Sequence, residues 1–183
     1  MAPMENGMAA VGTGEVTDRI IAFFEERAQH NIAMIMPGSI GVSPEGRGLP
    51  TQLSLFDEKQ VAGHKRLVDA IHSKGSLVAA QLYHAGRQAS EAITGLDPLA
   101  PSAIPCGILQ NHPKEITHEQ MDRIKEQFRQ AARWSIEAGY DIVEVHFAHG
   151  YLLHSFMSTH TNHRTDEYLS LIHISEPTRR TPI

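Results

Sequence analysis

The stretch Ile142–Tyr151 reads IVEVHFAHGY and decides how the rest of the chain is interpreted. Its first part, Ile142–His146, is a short run rich in β-branched residues, which predicts a buried strand. His146 ends this strand, and His149 and Tyr151 follow it closely. Functional groups of parallel α/β folds collect at the carboxyl ends of the strands. We therefore expect these three side chains to belong to a site.

The chemistry of these residues suits proton transfer and oxyanion binding. Two imidazoles three residues apart can converge on one acceptor, and each can donate a hydrogen bond to an oxygen that gains negative charge. A nearby tyrosine can deliver a proton as a general acid. Two other interpretations stay open, namely ordinary polar loop residues and a metal site. The metal site is suggested by a cluster of histidines. The absence of an HExxH motif and of a carboxylate at an evident ligand spacing argues against it. The cluster contains His146, His149, His154, His160 and His163.

A second polar motif, QLYHAGR at Gln81–Arg87, overlaps the end of another apolar run, Leu77–Leu82. Gln81 offers both a donor and an acceptor, which suits the edge of a heterocycle such as a flavin pyrimidine. Arg87 can pair with a carboxylate or a phosphate. The alternative is that Gln81 is a polar residue of a barrel interior and that Arg87 makes a salt bridge in a loop.

The rest of the chain alternates between helix-like and strand-like segments. Helices are predicted at 17–28, with Thr17 or Asp18 as N-cap, and after the capping-box pairs Asp57/Gln60 and Thr117/Gln120, with Gly75 and Gly139 as stops. Ile32–Met36 is predicted as a strand, and 37–50 and 84–116 as loops. This alternation indicates a parallel-sheet α/β fold, either a barrel or a doubly wound sheet. The Gly-rich segment 38–48 has neither P-loop nor Rossmann spacing.

Composition indicates one globular domain. The chain has 183 residues, of which 41% are hydrophobic and 20% charged, and its formal net charge is −5. The lack of basic surplus argues against nucleic-acid and membrane-surface partners. Cys106 is the single cysteine, so no intrachain disulfide and no CxxC site can form. No signal peptide or 18-residue apolar run is present, and a cytoplasmic protein acting on a small molecule is expected.

Taken in order, six segments resemble the Old Yellow Enzyme family. The resemblance covers residues 1–168, and its strength is the order of the motifs rather than any single one. The segments are MAPM at 1–4, GSIGVSPEGR at 38–47, QLYHAGR at 81–87, APSAIP at 100–105, VEVHFAHGYLLHSFMS at 143–158 and NHRTDEY at 162–168.

The resemblance implies a (β/α)₈ barrel, here truncated to roughly its first four β/α units, with FMN across the carboxyl ends of the strands. NAD(P)H would reduce the flavin, which would pass a hydride to an activated alkene. The flavin contacts implied are Ala2, Pro3, Met4, Ser39, Gln81 and His146. His146 and His149 would hold the substrate carbonyl oxygen, and Tyr151 would protonate the neighbouring carbon. No metal ligand is implied.

Three positions depart from the family pattern. Glu5 stands where many relatives carry Thr or Cys near the flavin, and a carboxylate there would repel a reduced, anionic flavin unless it points away. His30 and Asn31 replace the usual glycines before the second strand.

Residues 169–183 fit nothing in the family. The run Leu169–Arg179, LSLIHISEPTR, resembles a translated transposase adapter from DNA sequencing libraries. We therefore expect residues 1–168 to be the N-terminal half of an FMN-binding barrel and the tail to be non-native.

The predicted function is FMN-dependent alkene reduction by the full-length protein, with this chain inactive by itself. A relative of 2,4-dienoyl-CoA reductase would add a 4Fe-4S cluster and FAD in further domains. The alternative from another class is a metal-dependent hydrolase on a similar barrel that uses His146 and His149. The alkene, the choice of NADH or NADPH and the oligomeric state are not predicted.

Overall fold

The computed structural model describes residues 1–109 and 111–169, so the predicted adapter tail lies outside them except for Leu169. Helices and strands alternate along these residues as the sequence predicts. The helices are α1 (Asp18–Ala28), α2 (Val61–His72), α3 (Glu91–Thr94), α4 (His118–Glu137) and α5 (Leu152–Met157). The strands are β1 (Met34–Ile35), β2 (Ser39–Gly41), β3 (Leu77–Tyr83), β4 (Leu99–Ala100), β5 (Lys114–Glu115) and β6 (Ile142–Val145).

The helix ends follow the predicted capping signals. Thr17, rather than Asp18, is the N-cap of α1, because its side chain accepts a hydrogen bond from the Ile20 amide. Both capping boxes form. The pair Asp57/Gln60 opens a short 3₁₀ turn that leads into α2, and the pair Thr117/Gln120 opens α4.

The main sheet is parallel, with β3 at its centre. β1 and β2 pair along one edge of β3, and β6 pairs along the other. The N-terminal residue extends this sheet outward, because the Met1 carbonyl accepts a hydrogen bond from the Met36 amide. The described chain therefore contributes three neighbouring barrel strands and the N-terminal segment beside them.

β1 and β2 are two parts of one barrel strand, separated by a bulge. Ile35 lies opposite Val78, and Ser39 lies opposite Gln81. Residues 36–38 of this strand therefore lie opposite only two residues of β3, 79 and 80. One of the three, Gly38, has a φ of 120°. The prediction of a loop from residue 37 was wrong for Ser39–Gly41, because apparent turn residues here form a bulge within a strand.

The two faces of the sheet have different environments. Alternate residues of β3, namely Val78, Ala80 and Leu82, are buried against the helical layer of α1, α2 and α4. The residues between them, including Gln81, point to the opposite face, the interior of the barrel. The helical layer also contains a buried polar contact, because Nδ1 of His64 lies 2.8 Å from the Tyr140 hydroxyl.

The long segment 84–116 is less irregular than predicted. It contains a 3₁₀ turn at Gly86–Gln88, the short helix α3, and the parallel pair β4 and β5. Prolines hid these short elements from a pattern analysis. Before β1, Asn31 adopts a φ of 57°, a left-handed conformation that explains why glycine is usual there. Among the described residues, no helix is both long enough and apolar enough to cross a bilayer.

Candidate active site

A cavity of about 230 Å³ opens at the carboxyl ends of β2, β3 and β6. Parallel strands place their carboxyl ends on one side of the sheet, so side chains that are distant in sequence meet there. The lining residues are Pro3, Glu5, Ser39, Gln81, Glu144, His146, Phe147, Ala148, His149 and Tyr151. Of the nine residues that the sequence analysis assigned to the site or flagged near the flavin, seven line this cavity, and Ala2 and Met4 do not.

Residues of strands β3 and β6 form one wall of the cavity. Gln81 on β3 lies directly opposite Glu144 on β6. The Gln81 side-chain Nε2 donates a hydrogen bond to Glu144 Oε1 over 2.6 Å. His146 follows two residues after Glu144 and is 9% exposed, so strand alternation keeps it on the same face. Glu144 was not selected by the sequence analysis, although this alternation could have identified it.

The two histidines contact each other, and their hydrogen bonds define one consistent tautomer. His146 Nδ1 accepts from the Ala148 amide at 3.1 Å, which places the proton of the neutral ring on Nε2. That Nε2 lies 3.3 Å from His149 Nδ1. A neutral His149 then carries its own proton on Nε2. The arrangement leaves the His149 Nε2–H as the donor available to a ligand.

The loop that carries His149 has a tightly constrained backbone. His149 has a φ of 60° and Gly150 a φ of 76°, both in the left-handed region. Such a conformation is uncommon for a residue with a side chain and concentrates at functional sites. The Gln88 side chain donates to the His149 carbonyl at 2.6 Å and supports this conformation from the neighbouring segment.

The electrostatic environment favours neutral imidazole and protonated phenol. Burial lowers the pKa of His146, and the neighbouring His149 lowers it further, while Glu144 opposes the change. Burial raises the pKa of Tyr151, and the negative charge of Glu5 adds to this increase. At neutral pH, His146 is therefore mostly uncharged and Tyr151 retains its proton.

The N-terminal segment reaches the cavity only in part. Pro3 and Glu5 line it, whereas Ala2 and Met4 are exposed to solvent and lie outside its lining. The Glu5 carboxylate accepts hydrogen bonds from the amides of the next two residues. Its withdrawal from water raises its pKa, and these hydrogen bonds oppose the increase.

Ser39 is held in place by a residue that the sequence analysis did not identify. Gln52 donates to the Ser39 hydroxyl at 2.9 Å and accepts from the Gly48 amide at the same distance. Arg87 lies elsewhere, since its guanidinium donates to the Pro105 carbonyl and does not line the cavity. Within the described part of the chain Arg87 forms no salt bridge, so the alternative of a loop salt bridge is not observed there.

Metal-binding geometry is found at a different place. Within the described residues, three side chains that could share an ion come together at His118, Asp166 and Glu167. Among the residues that the structure describes, His146 and His149 belong to no such group. The cluster at 118, 166 and 167 is already engaged, because Asp166 pairs with Arg164 and with His118.

Parallel strands covered on one side by helices, with a polar cavity at their carboxyl ends, define part of an α/β barrel of the enzymatic type. The sequence matches the NADH:flavin oxidoreductase / NADH oxidase family over residues 1–170, and the chain belongs to this family. This result confirms the resemblance to the Old Yellow Enzyme family. It gives no support to the metal-dependent hydrolase.

Individual relatives agree with this assignment. The chain is 39% identical over 170 residues to an NADH oxidase of Thermoanaerobacter brockii, covering 92% of this chain and 26% of the relative. It is 38% identical over 168 residues to an NADPH dehydrogenase of Bacillus velezensis, covering 92% of this chain and 49% of the relative. The chain thus spans between a quarter and a half of these curated relatives.

Solved structures show the same fold. Morphinone reductase superposes with a TM-score of 0.86 at 30% identity, over 92% of this chain and 48% of its own. The Old Yellow Enzyme homologue from Zymomonas mobilis gives a TM-score of 0.83 at 30% identity, over 92% and 49% of the two chains. The described residues therefore form about half of such a fold.

Proposed function

We propose that the full-length protein containing this chain is an FMN-dependent oxidoreductase that transfers reducing equivalents from NAD(P)H to an activated alkene. The observation that carries this proposal is the cavity in which Gln81, His146, His149 and Tyr151 meet at the carboxyl ends of the strands. Family membership supports the flavin and the nicotinamide reductant. The arrangement of His146, His149 and Tyr151 supports an activated alkene as the substrate.

The residues present fit a flavin. Gln81 lines the cavity with an amide that can both donate and accept, which matches a pyrimidine ring edge. His146 adds a largely neutral imidazole, and Ser39 and Pro3 complete the wall on that side. Ala2 and Met4 would contribute backbone contacts only. When bound, FMN accepts a hydride from the nicotinamide and supplies one to the substrate.

This chain's own residues would handle the substrate oxygen and the proton. The His149 Nε2–H is free to donate to a carbonyl oxygen, and His146 can join it if its contact with His149 opens. Tyr151 keeps its proton at neutral pH and lies beside His146, with ring centroids 5.0 Å apart. In the proposed reaction it would protonate the carbon next to a carbonyl held by the histidines.

The proposal is tested on the purified full-length protein. Heat release of the cofactor should give one FMN per chain, and the protein should oxidise NADH or NADPH with 2-cyclohexen-1-one as acceptor. Comparing the two nicotinamides also resolves which one is used. A protein that binds no flavin, or a flavoprotein that never reduces an alkene of this class, would contradict the proposal.

A second candidate within the family has additional redox centres. The matched segment is a quarter of the Thermoanaerobacter relative but half of the Bacillus one, so the first is about twice as long. A Desulforamulus reducens metal reductase, 40% identical, is matched over 25% of its length. A full-length protein of that size would accommodate a 4Fe-4S cluster and FAD, as in 2,4-dienoyl-CoA reductases. Iron and acid-labile sulfide analysis separates the two candidates.

We also propose that residues 169–183 are not encoded by the native gene. The support is the resemblance of Leu169–Arg179 to a translated adapter. Sequencing genomic DNA beyond the codon for Tyr168 tests this directly, and an authentic reading frame for the same tail would refute it.

A further inference from the structure

Gln81 and Glu144 form a pair of side chains across neighbouring parallel strands. They occupy the same register position of β3 and β6 and lie on the same face of the sheet. Gln81 is 7% exposed, and its Nε2 donates to Glu144 Oε1 over 2.6 Å. Both residues line the cavity of the candidate active site.

A carboxamide and a carboxylate are not symmetric partners. The amide presents an NH₂ group at one end and a carbonyl oxygen at the other, and rotation by half a turn exchanges them. An ionised carboxylate offers only acceptors. At this separation the end of Gln81 beside Glu144 must be the NH₂ group, because the opposite orientation would bring two acceptor oxygens together.

Among the described residues, the Glu144 side chain has one hydrogen-bond partner, and that partner is Gln81. Within residues 1–109 and 111–169 it makes no salt bridge, and its side chain hydrogen-bonds to Gln81 alone. Its side chain is exposed at the cavity, whereas its neighbours on β6, Val143 and Val145, are apolar and point to the other face of the sheet. A carboxylate at this position is consistent with a role toward Gln81 rather than toward the packing of the strand.

We propose that Glu144 is a positioning residue that locks the Gln81 amide in one orientation for the flavin. Locked in this way, Gln81 presents its carbonyl oxygen and its second N–H, in a fixed order, to a ring edge that carries an N–H beside a carbonyl. A free amide would populate the wrong orientation as well, so flavin binding would bear the cost of selecting the right one. This inference rests on the proposed function.

The experiment measures flavin affinity in a double-mutant cycle on the full-length protein. Glu144→Gln, Gln81→Ala and the double variant are stripped of cofactor and titrated with FMN, with flavin fluorescence as the signal. We expect Glu144→Gln to weaken FMN binding by about tenfold and to have less than about a twofold effect when Gln81 is already alanine. Riboflavin should give the same pattern, because it has the ring without the phosphate charge.

Two further variants separate positioning from general damage. Glu144→Asp keeps an acceptor-only group and should retain FMN affinity within about threefold of the parent. Glu137→Gln, at an exposed position on α4, removes a carboxylate away from the cavity and should have no effect. The thermal midpoint of each cofactor-free variant is measured alongside.

The outcomes are distinguishable. If the parent protein binds neither flavin, the proposed function fails and this inference fails with it. If the parent binds FMN and Glu144→Gln binds it equally well, only the positioning role is overturned. An equal loss of affinity with and without Gln81 also overturns it, because Glu144 would then act on the flavin by another route.

Discussion

The rings of Tyr83 and Tyr151 meet edge to face, with their centroids 4.7 Å apart. Tyr83 is buried at the end of β3, so this contact ties the phenol of Tyr151 to the rigid sheet. The loop that begins at His146 could otherwise place Tyr151 in many positions. The proposed role of Tyr151 as a proton donor requires positioning to within a fraction of an ångström, and aromatic packing against a strand provides that constraint.

Tyr151→Phe in the full-length protein should slow alkene reduction by about 10²–10⁴-fold, the usual contribution of a general acid. The phenol proton plays no part when the nicotinamide reduces the flavin, so that half-reaction should keep its rate. Stopped-flow measurement of both half-reactions tests the difference. Tyr168→Phe removes a phenol that accepts a hydrogen bond from Lys125, and it serves as the matched control. Equal losses in both half-reactions would exclude the assigned role.

His149→Ala and His146→Ala should each weaken the binding of phenolic ligands, which resemble an enolate. Removing one donor to a developing oxyanion typically reduces the rate by about 10²–10³-fold. His149 should have the larger effect on ligand affinity, because its Nε2–H is free whereas His146 is engaged with it. Titration of the charge-transfer band of the oxidised flavin with a phenol measures both. Unchanged affinity in His149→Ala would contradict this arrangement.

Glu5→Gln should lower the pKa of Tyr151, because the Glu5 charge is one of the two causes that raise it. The proposed mechanism requires Tyr151 in its protonated form, so the alkaline fall in alkene reduction should move to lower pH in this variant. The pH profile of the oxidative half-reaction reports the shift, with Glu137→Gln as the control. An alkaline limb that stays in place, or moves upward, would show that Glu5 does not act on Tyr151.

His64 should make the folded protein sensitive to mild acid. Burial lowers its pKa from 6.5 to about 4, although its hydrogen bond with the Ser54 carbonyl acts to raise the pKa. Below pH 6.5 the unfolded chain gains a proton that the folded protein does not bind until about pH 4. Stability therefore falls as the pH drops through this interval, by about 3 kcal/mol from this group alone.

Urea unfolding between pH 7 and pH 4 measures the effect of His64. His64→Gln should be less stable at pH 7 but should lose less stability on acidification, since it cannot be protonated. His30→Gln changes an exposed histidine and should follow the parent's profile. If His64→Gln and the parent lose stability in parallel, the buried imidazole is not the source of the acid sensitivity.

The 183-residue chain expressed alone should be colourless and poorly soluble. Within the described residues, β6 pairs with β3 alone, so its second edge has no partner strand. Val145 on this strand and Phe147 just after it are exposed. An unpaired apolar edge promotes aggregation. Absorbance at flavin wavelengths and light scattering test this expectation. A soluble yellow preparation with stoichiometric FMN would refute it.

The sequence predicted most of the structural features that depend on neighbouring residues, such as helix starts. The capping pairs Asp57/Gln60 and Thr117/Gln120 marked helix starts because capping uses only neighbouring residues. The strand-end motifs that contain Gln81 and His146 line one cavity, because parallel strands end on the same side of the sheet.

Contacts between distant segments were not accessible in the same way. Nothing in the sequence around Gln52 indicates that it holds Ser39, since the contact depends on how the loop folds back. The pairing of Gln81 with Glu144 depends on strand register, which neither strand specifies alone. The roles of the site residues remain predictions that the experiments above address.

The bulge at Gly38 determines which residues of the second barrel strand enter the cavity. Ile35 packs among the helices, and simple alternation from it would send residue 39 to the same side. The single extra residue reverses this parity, so the hydroxyl of Ser39 faces the cavity and Ile40 is buried in the helical layer. Deleting Gly38 would exchange the two, so that an isoleucine faced the polar cavity and a serine lay inside the apolar core.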